Sequence, residues 1–430
     1  MPVHFNVSIA LVVFMGLASG GMLALSLMAG RKQQISFSIM LVLAGLLALL
    51  GALGSLTLVD NLATGIANAG VLLVLSFTLG YALTTYSVLT PRAARWKINP
   101  SAAHSGRIAV ICLAPGEPPE YEAQSAARRL ELADDAQDVP PLLLRPFYMR
   151  DLRVKYEAIG RSPCKGYHVE LAEQVQARLD SSRYVVYPAF YSDHPTLPEA
   201  IMQSIQEGVK RVIVVHVRLT DPPDPVKAGE LLQGLDPERY GVRLIEQGPL
   251  FDSDLLPQIY VRRVLEAVPQ VGQPAQDVGL LLVGRGHHTT GGTSAIRYRQ
   301  ELEFHERVRQ ALVRVGFDEH RVAIGWLRRA PTAAQALQSL IERGSRVVFW
   351  MPATYPADGI ITLYDIPAQI ERVATAQGVK LIALGAWNAD ELAAEDIAGR
   401  VRSAMRPAVG VPPVPGTGAT EGNRQHAGRG

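Results

Sequence analysis

Glu199-Ala-Ile-Met-Gln-Ser-Ile-Gln-Glu-Gly-Val-Lys-Arg-Val-Ile-Val-Val215 and Gln335-Ala-Leu-Gln-Ser-Leu-Ile-Glu-Arg-Gly-Ser-Arg-Val-Val-Phe-Trp-Met351 follow one pattern. Apolar residues three and four apart predict an amphipathic helix. A glycine (Gly208, Gly344) ends it, and a continuous apolar run then predicts a buried strand. Further on, Gly241-Val-Arg-Leu-Ile245 answers Gly378-Val-Lys-Leu-Ile382, and Phe251-Asp-Ser-Asp254 answers Trp387-Asn-Ala-Asp390, at an offset of 136 to 137 positions throughout. One helix–strand unit resembling another is common. Three blocks held at one offset mark an internal duplication.

Upstream of each copy stands an apolar strand pattern, Arg107-Ile-Ala-Val-Ile-Cys-Leu113 and Val278-Gly-Leu-Leu-Leu-Val283. They end in the turns Ala114-Pro-Gly-Glu-Pro118 and Gly284-Arg-Gly-His-His288. Strands without polar alternation belong to parallel sheets covered on both faces. The expected fold class is therefore α/β, with two similar doubly wound parallel-sheet lobes over residues 105–270 and 275–405. The first lobe carries an extra Arg-rich and aromatic stretch, residues 117–165. The Pro- and Gly-rich tail 406–430 is expected to be disordered.

The first 90 residues are of another kind. Of 42 Lys+Arg and 40 Asp+Glu in 430 residues, they hold only Arg31, Lys32 and Asp60. The uncharged runs between these each exceed the ~20 residues that cross a bilayer, so three transmembrane helices are predicted near residues 9–29, 35–59 and 66–89. Recurrent Gly16, Gly20, Gly21, Gly45, Gly51 and Gly54 would let them approach closely. Arg31 and Lys32, with Arg92, Arg95 and Lys97, fall on one side of the membrane. This places the N-terminus outside and the large domain in the cytoplasm. A linker, 91–104, follows the anchor and shares no evident core with it, so a chain lacking residues 1–97 is expected to fold alone. Cys112 and Cys164, the two cysteines, are expected to stay reduced.

The balanced charge argues against a nucleic-acid binder. The sequence lacks a Walker A motif, Gly-x-Gly-x-x-Gly after a strand, Cys-x-x-Cys pairs and Gly-x-Ser-x-Gly. In open α/β sheets ligands sit beyond the carboxyl ends of strands. The loops expected there are 114–118, 190–195, 216–221, 284–292 and 352–358, which hold His194, His216, His287 and His288. Imidazole suits proton transfer and metal contact. His287 and His288 are the candidate catalytic and metal-contacting pair, and Arg285 beside them could grip a carboxylate. Asp358 could contact metal or cap a helix.

Several segments resemble the ferrochelatase family. They are Tyr156-Glu-Ala-Ile-Gly-Arg-Ser-Pro163, Ala189-Phe-Tyr-Ser-Asp-His-Pro195 with Glu199-Ala200, and Arg211-Val-Ile-Val-Val215 after Gly208. In the second lobe they are Arg321-Val322, Trp326-Leu327, Pro331-Thr332 and Pro352-Ala-Thr-Tyr-Pro-Ala-Asp-Gly-Ile-Ile-Thr-Leu-Tyr-Asp-Ile366. The resemblance spans residues 107–400 and implies a two-lobed chelatase that inserts ferrous iron into protoporphyrin IX. Both would be substrates, with no tightly bound cofactor. It implies tetrapyrrole contacts at Gly116, Glu117, Tyr191, Tyr355 and Tyr364. The partners expected are thus a porphyrin and the lipid bilayer, with no protein partner legible. At the family's catalytic histidine this chain has Arg285, and at its glutamate Ile361. The alternative implied is a non-catalytic tetrapyrrole-binding or scaffold protein.

Overall fold

The computed structural model describes residues 2–56, 62–90, 105–132, 139–221, 231–232, 234–272, 277–287 and 292–405. The linker 91–104, the tail 406–430, Asp60 and His288 lie outside them.

Three long helices open the chain: α1 (Pro2–Met28), α2 (Arg31–Leu56) and α3 (Leu62–Leu89). All are long and apolar enough to cross a membrane. Glycines bring α1 and α3 together; a Cβ at Gly20 would fall 1.9 Å from the Phe77 carbonyl oxygen, and one at Gly80 2.1 Å from that of Leu17. Leu, Ile and Val side chains cover the outward faces and are exposed, as lipid-facing surfaces are.

The first lobe runs β1 (Ile108–Ala114), α4 (Ala123–Glu131), a 3₁₀ turn (Leu142–Leu144), α5 (Arg145–Ile159), α6 (Cys164–Arg178), β2 (Tyr184–Phe190), α7 (Leu197–Gln206), β3 (Arg211–His216), β4 (Arg243–Gln247) and α8 (Leu256–Ala267). The second runs β5 (Val278–Gly284), α9 (Gly292–Arg314), β6 (Val322–Trp326), α10 (Ala333–Glu342), β7 (Val347–Met351), a π-helical turn (Ile361–Asp365), α11 (Ile366–Gln377), β8 (Lys380–Ala383) and α12 (Glu391–Ala404). Each lobe has a four-stranded sheet, in the orders β2-β1-β3-β4 and β6-β5-β7-β8. Every pairing is parallel, and β1 and β5, central in their sheets, are buried along their whole length.

The duplicated sequence folds in duplicate. Gly208 and Gly344 turn α7 into β3 and α10 into β7 with φ of 75° and 91°, which a side chain would disfavour. Both helices start alike: the Thr196 N–H donates to Glu199 Oε2 at 2.7 Å, and the Thr332 N–H to Gln335 Oε1 at 2.8 Å. Ahead of these helices the Phe190 N–H donates to the Pro195 carbonyl (2.8 Å), as the Trp326 N–H does to that of Pro331 (3.0 Å).

Packing does not respect the lobe boundary. One apolar core runs from β1 and β3 through α6, α8 and α12 to β5 and β7. The last helix of the second lobe, α12, lies against α6, β3 and β4 of the first, and α8 of the first packs on α9 of the second. The three long helices are joined as firmly. Ala24, Leu27 and Met28 of α1 and Tyr81 and Leu89 of α3 share a buried cluster with Leu130 of α4 and with Met149, Leu152 and Tyr156 of α5. The Tyr121 hydroxyl donates to the Met28 carbonyl at 2.5 Å, and buried Arg153 donates to the carbonyls of Ser26 and Ala29 at the end of α1 (3.3 and 2.5 Å). These contacts run against the expectation that a chain lacking residues 1–97 folds alone; the linker itself lies outside the described residues. Deleting the anchor would expose apolar side chains and leave the Arg153 guanidinium without these acceptors.

Candidate functional site

Turns at the carboxyl ends of β1, β2, β3, β5, β6 and β7 surround a cavity of about 210 Å³ between the lobes. Small-molecule pockets usually measure about 300–1,000 Å³, so a large planar ligand enters only if the walls part. Arg129, Arg218, Arg285 and Arg328 line it, with Tyr148, Tyr191, Tyr355, His168 and His287. Glu117 is the sole lining carboxylate among the described residues.

The turn after β5 is held from behind. Fully buried Glu301 on α9 accepts the N–H groups of Arg285 and Gly286 at 3.0 Å each and that of His287 at 3.4 Å. Successive N–H groups of this kind otherwise form an anion-binding nest. Here the chain's own carboxylate fills it and fixes the base of Arg285 and His287, the latter 2 % exposed. His305, a turn further along α9, sits 2.6 Å through Nδ1 from the Glu301 carbonyl oxygen, and burial lowers its pKa.

The turn after β1 reaches across instead. Glu117, also buried, accepts the Ser162 hydroxyl, the Ile360 N–H of the second lobe at 2.8 Å and Arg129 Nη1 at 3.4 Å. In the first lobe the Tyr191 hydroxyl lies 2.5 Å from His216 Nδ1, and His216 Nε2 lies 3.9 Å from a Glu246 carboxylate oxygen, a pairing that holds that carboxyl below its usual value. The Arg218 guanidinium stacks 5.7 Å from the Tyr191 ring.

Of the residues selected from sequence, Gly116, Glu117, Tyr191, Tyr355, Arg285 and His287 line the cavity. Asp358 and Tyr364 are not among its lining residues. The Asp358 carboxylate accepts the Asn388 side-chain amide (2.7 Å) and the Ala386 N–H (3.1 Å), tying the turn after β7 to the loop before α12. Nor does it cap the following helix, whose Ile360 N–H goes to Glu117. Tyr364 lies on the π-helical turn, which lines the cavity through Ile361 and Thr362. His194 pairs with Glu199 (2.8 Å) and Arg128 (2.9 Å). Among the described residues no three His, Cys, Asp or Glu side chains converge on a metal position.

His168, Arg129 and Glu301 were not selected from sequence. His168 is 3 % exposed on α6, its Nε2 has no hydrogen-bond partner among the described residues, and burial pushes its pKa down to about 4. The available signal was its spacing four residues after Cys164, which puts both on one helix face. Arg129 and Glu301 sit in charged helical stretches where periodicity does not single them out.

No known family profile and no curated protein matches the chain. Among solved structures it is similar to SirB from Bacillus subtilis with Fe3+ (TM-score 0.44, 14 % identity, covering 69 % of this chain and 95 % of that one). It is similar also to CbiX, the terminal enzyme for biosynthesis of siroheme in denitrifying bacteria (TM-score 0.40, 14 % identity, covering 70 % and 100 %). Likenesses this distant carry no functional conclusion. Fold and site together define a two-lobed α/β protein with an arginine-lined cavity between its lobes, joined to three membrane-type helices.

Proposed function

We propose that this chain is a membrane-anchored chelatase that takes a carboxylated tetrapyrrole into the inter-lobe cavity and inserts ferrous iron. The ferrochelatase resemblance implies protoporphyrin IX as the tetrapyrrole. The observation that carries the reading is the wall of four guanidinium groups around one cavity whose sole lining carboxylate among the described residues, Glu117, is already hydrogen-bonded. Guanidinium forks pair with carboxylates through two parallel bonds, while Tyr148, Tyr191, Tyr355 and Leu130 offer flat or apolar contact to a ring system. Insertion of one divalent iron releases two pyrrole protons. Arginine cannot take them, since it stays protonated. His287, on the turn fixed by Glu301, is the proton acceptor, with His288 next to it in sequence. The three helices hold the domain at the bilayer with the N-terminus outside and the lobes in the cytoplasm, which fusions of reporters at the C-terminus and at Asn61 test.

The second reading is a non-catalytic tetrapyrrole-binding protein. It is favoured by Arg285 and Ile361, which match the family's proton-handling positions and both line the cavity. Absorbance titration of the detergent-solubilised full chain with protoporphyrin IX, followed by ferrous iron under reducing conditions, separates the readings. The expected result is porphyrin binding and insertion, with insertion falling about 10²–10⁴-fold in H287A/H288A while binding persists. Binding without insertion in the native chain, with insertion gained by R285H/I361E, establishes the second reading. No absorbance change with porphyrin removes both.

A further inference from the structure

Among the described residues, eight large apolar side chains outside the three long helices are exposed, and four of them, Leu143, Leu144, Phe147 and Val154, lie within one 3₁₀–helix segment (45, 52, 47 and 44 % exposed). That segment touches α3. The Tyr81 hydroxyl donates to the Leu143 carbonyl at 2.7 Å, and the Tyr81 and Phe147 ring centroids are 6.4 Å apart. We propose that the 3₁₀ turn and the start of α5 lie in the lipid of the leaflet that holds the adjoining ends of α1 and α3, so that α4 and α5 form the wall between bilayer and cavity. This rests on reading α1–α3 as membrane spans and is independent of what the cavity binds.

Depth along α3 carries the assignment. The helix has 28 residues, about 42 Å at 1.5 Å per residue, against a hydrocarbon core of about 30 Å. An untilted helix therefore overhangs by about 12 Å in all. Tyr81 stands eight residues before Leu89, again about 12 Å from that end. With the whole overhang on the side of the lobes, Tyr81 marks the edge of the hydrocarbon. With the overhang shared, it lies deeper. A tyrosine there, apolar body inward and hydroxyl bonded, is the usual interfacial arrangement. Leu143, Leu144 and Phe147 share its level and point outward, where acyl chains cover them. Behind them Met149, Leu152 and Leu130 are buried, and Tyr148 and Leu130 line the cavity.

The test is nitroxide accessibility in the full chain reconstituted in phosphatidylcholine nanodiscs, with single labels at L144C or F147C. V42C on the exposed face of α2 and L265C, exposed on α8 outside the cluster shared with the long helices, are the references. Cys112 and Cys164 are buried, and the unsubstituted chain gives their background labelling. The expected result is that residues 144 and 147 behave as residue 42 does, colliding more with oxygen than with an aqueous nickel chelate, while residue 265 shows the reverse. Sites 144 and 147 behaving as 265 does, with 42 still in lipid, overturn the proposal alone. Site 42 in water overturns the membrane reading and the proposal with it.

Discussion

The turns after β1 and β5 occupy the same place in the two lobes and are held in opposite ways. In the second lobe the N–H groups of Arg285, Gly286 and His287 are gathered by Glu301 from the helix that follows, so the turn is fixed within its own lobe. In the first lobe the turn supplies the carboxylate itself: Glu117 reaches over to the Ile360 N–H and fastens one lobe to the other. The two copies have thus divided two tasks. One presents a rigid surface to the cavity, and the other sets the distance across it.

Removing the Glu301 carboxylate should have the largest effect on stability. E301A removes the acceptor shared by three N–H groups, two of them buried, at about 1–3 kcal/mol each, so a loss of roughly 3–5 kcal/mol is expected in denaturant unfolding of the detergent-solubilised chain. A loss under about 1 kcal/mol would mean that the turn holds itself.

Acid should weaken the first lobe through His168. Its folded pKa of about 4 lies below the ordinary value near 6.5. Between these values the unfolded chain binds the additional proton, so this contribution to stability is complete above pH 6.5 and is lost as pH falls towards 4. It amounts to about 3 kcal/mol. The check is the difference in unfolding free energy between the native chain and H168M at pH 7 and at pH 4.5; a difference that does not change with pH would contradict a neutral buried imidazole. His305 in the second lobe is shifted in the same direction, also by burial, so H305M should show the same sign.

E117A should cost about 2 kcal/mol, since it frees the Ile360 N–H and the Ser162 hydroxyl, and it should loosen the lobes. Hydrogen exchange at the π-helical turn distinguishes a latch from an ordinary buried residue: faster exchange there, with β5 unchanged, is the signature expected. The smallest effect belongs to the most symmetrical feature. T332A removes the hydroxyl that accepts the Gln335 N–H at 3.2 Å and should cost about 1 kcal/mol. A fall in melting temperature several times larger than that would show that more than a helix cap has been lost.

Much of the architecture could be read directly. The helix–Gly–strand copies at 199–215 and 335–351 specify αβ units locally, because amphipathic period, capping residue and apolar run all act within a dozen positions. Three uncharged runs specify three long helices for the same reason. Five of the loops around the cavity followed from the rule that ligands lie beyond the carboxyl ends of parallel strands, with Arg285 and His287 within them, but the turn after β6 that carries Arg328 was not among them. Asp358 shows the limit of that approach. A loop position does not say whether a carboxylate faces the cavity or, as here, Asn388.

What the sequence by itself determined is what near neighbours along the chain decide: helix and strand periods, the duplication, and the contrast between three apolar helices and two charged α/β lobes. Tertiary structure alone decided the partners of charged and polar groups. Glu301 finds its turn 14 to 16 residues away, Glu117 finds Ile360 across 243, and Arg153 finds the end of α1 across 124 to 127. A buried carboxylate or guanidinium must be hydrogen-bonded, but nothing in its local pattern says by what, since the acceptor or donor is a backbone group that every residue carries.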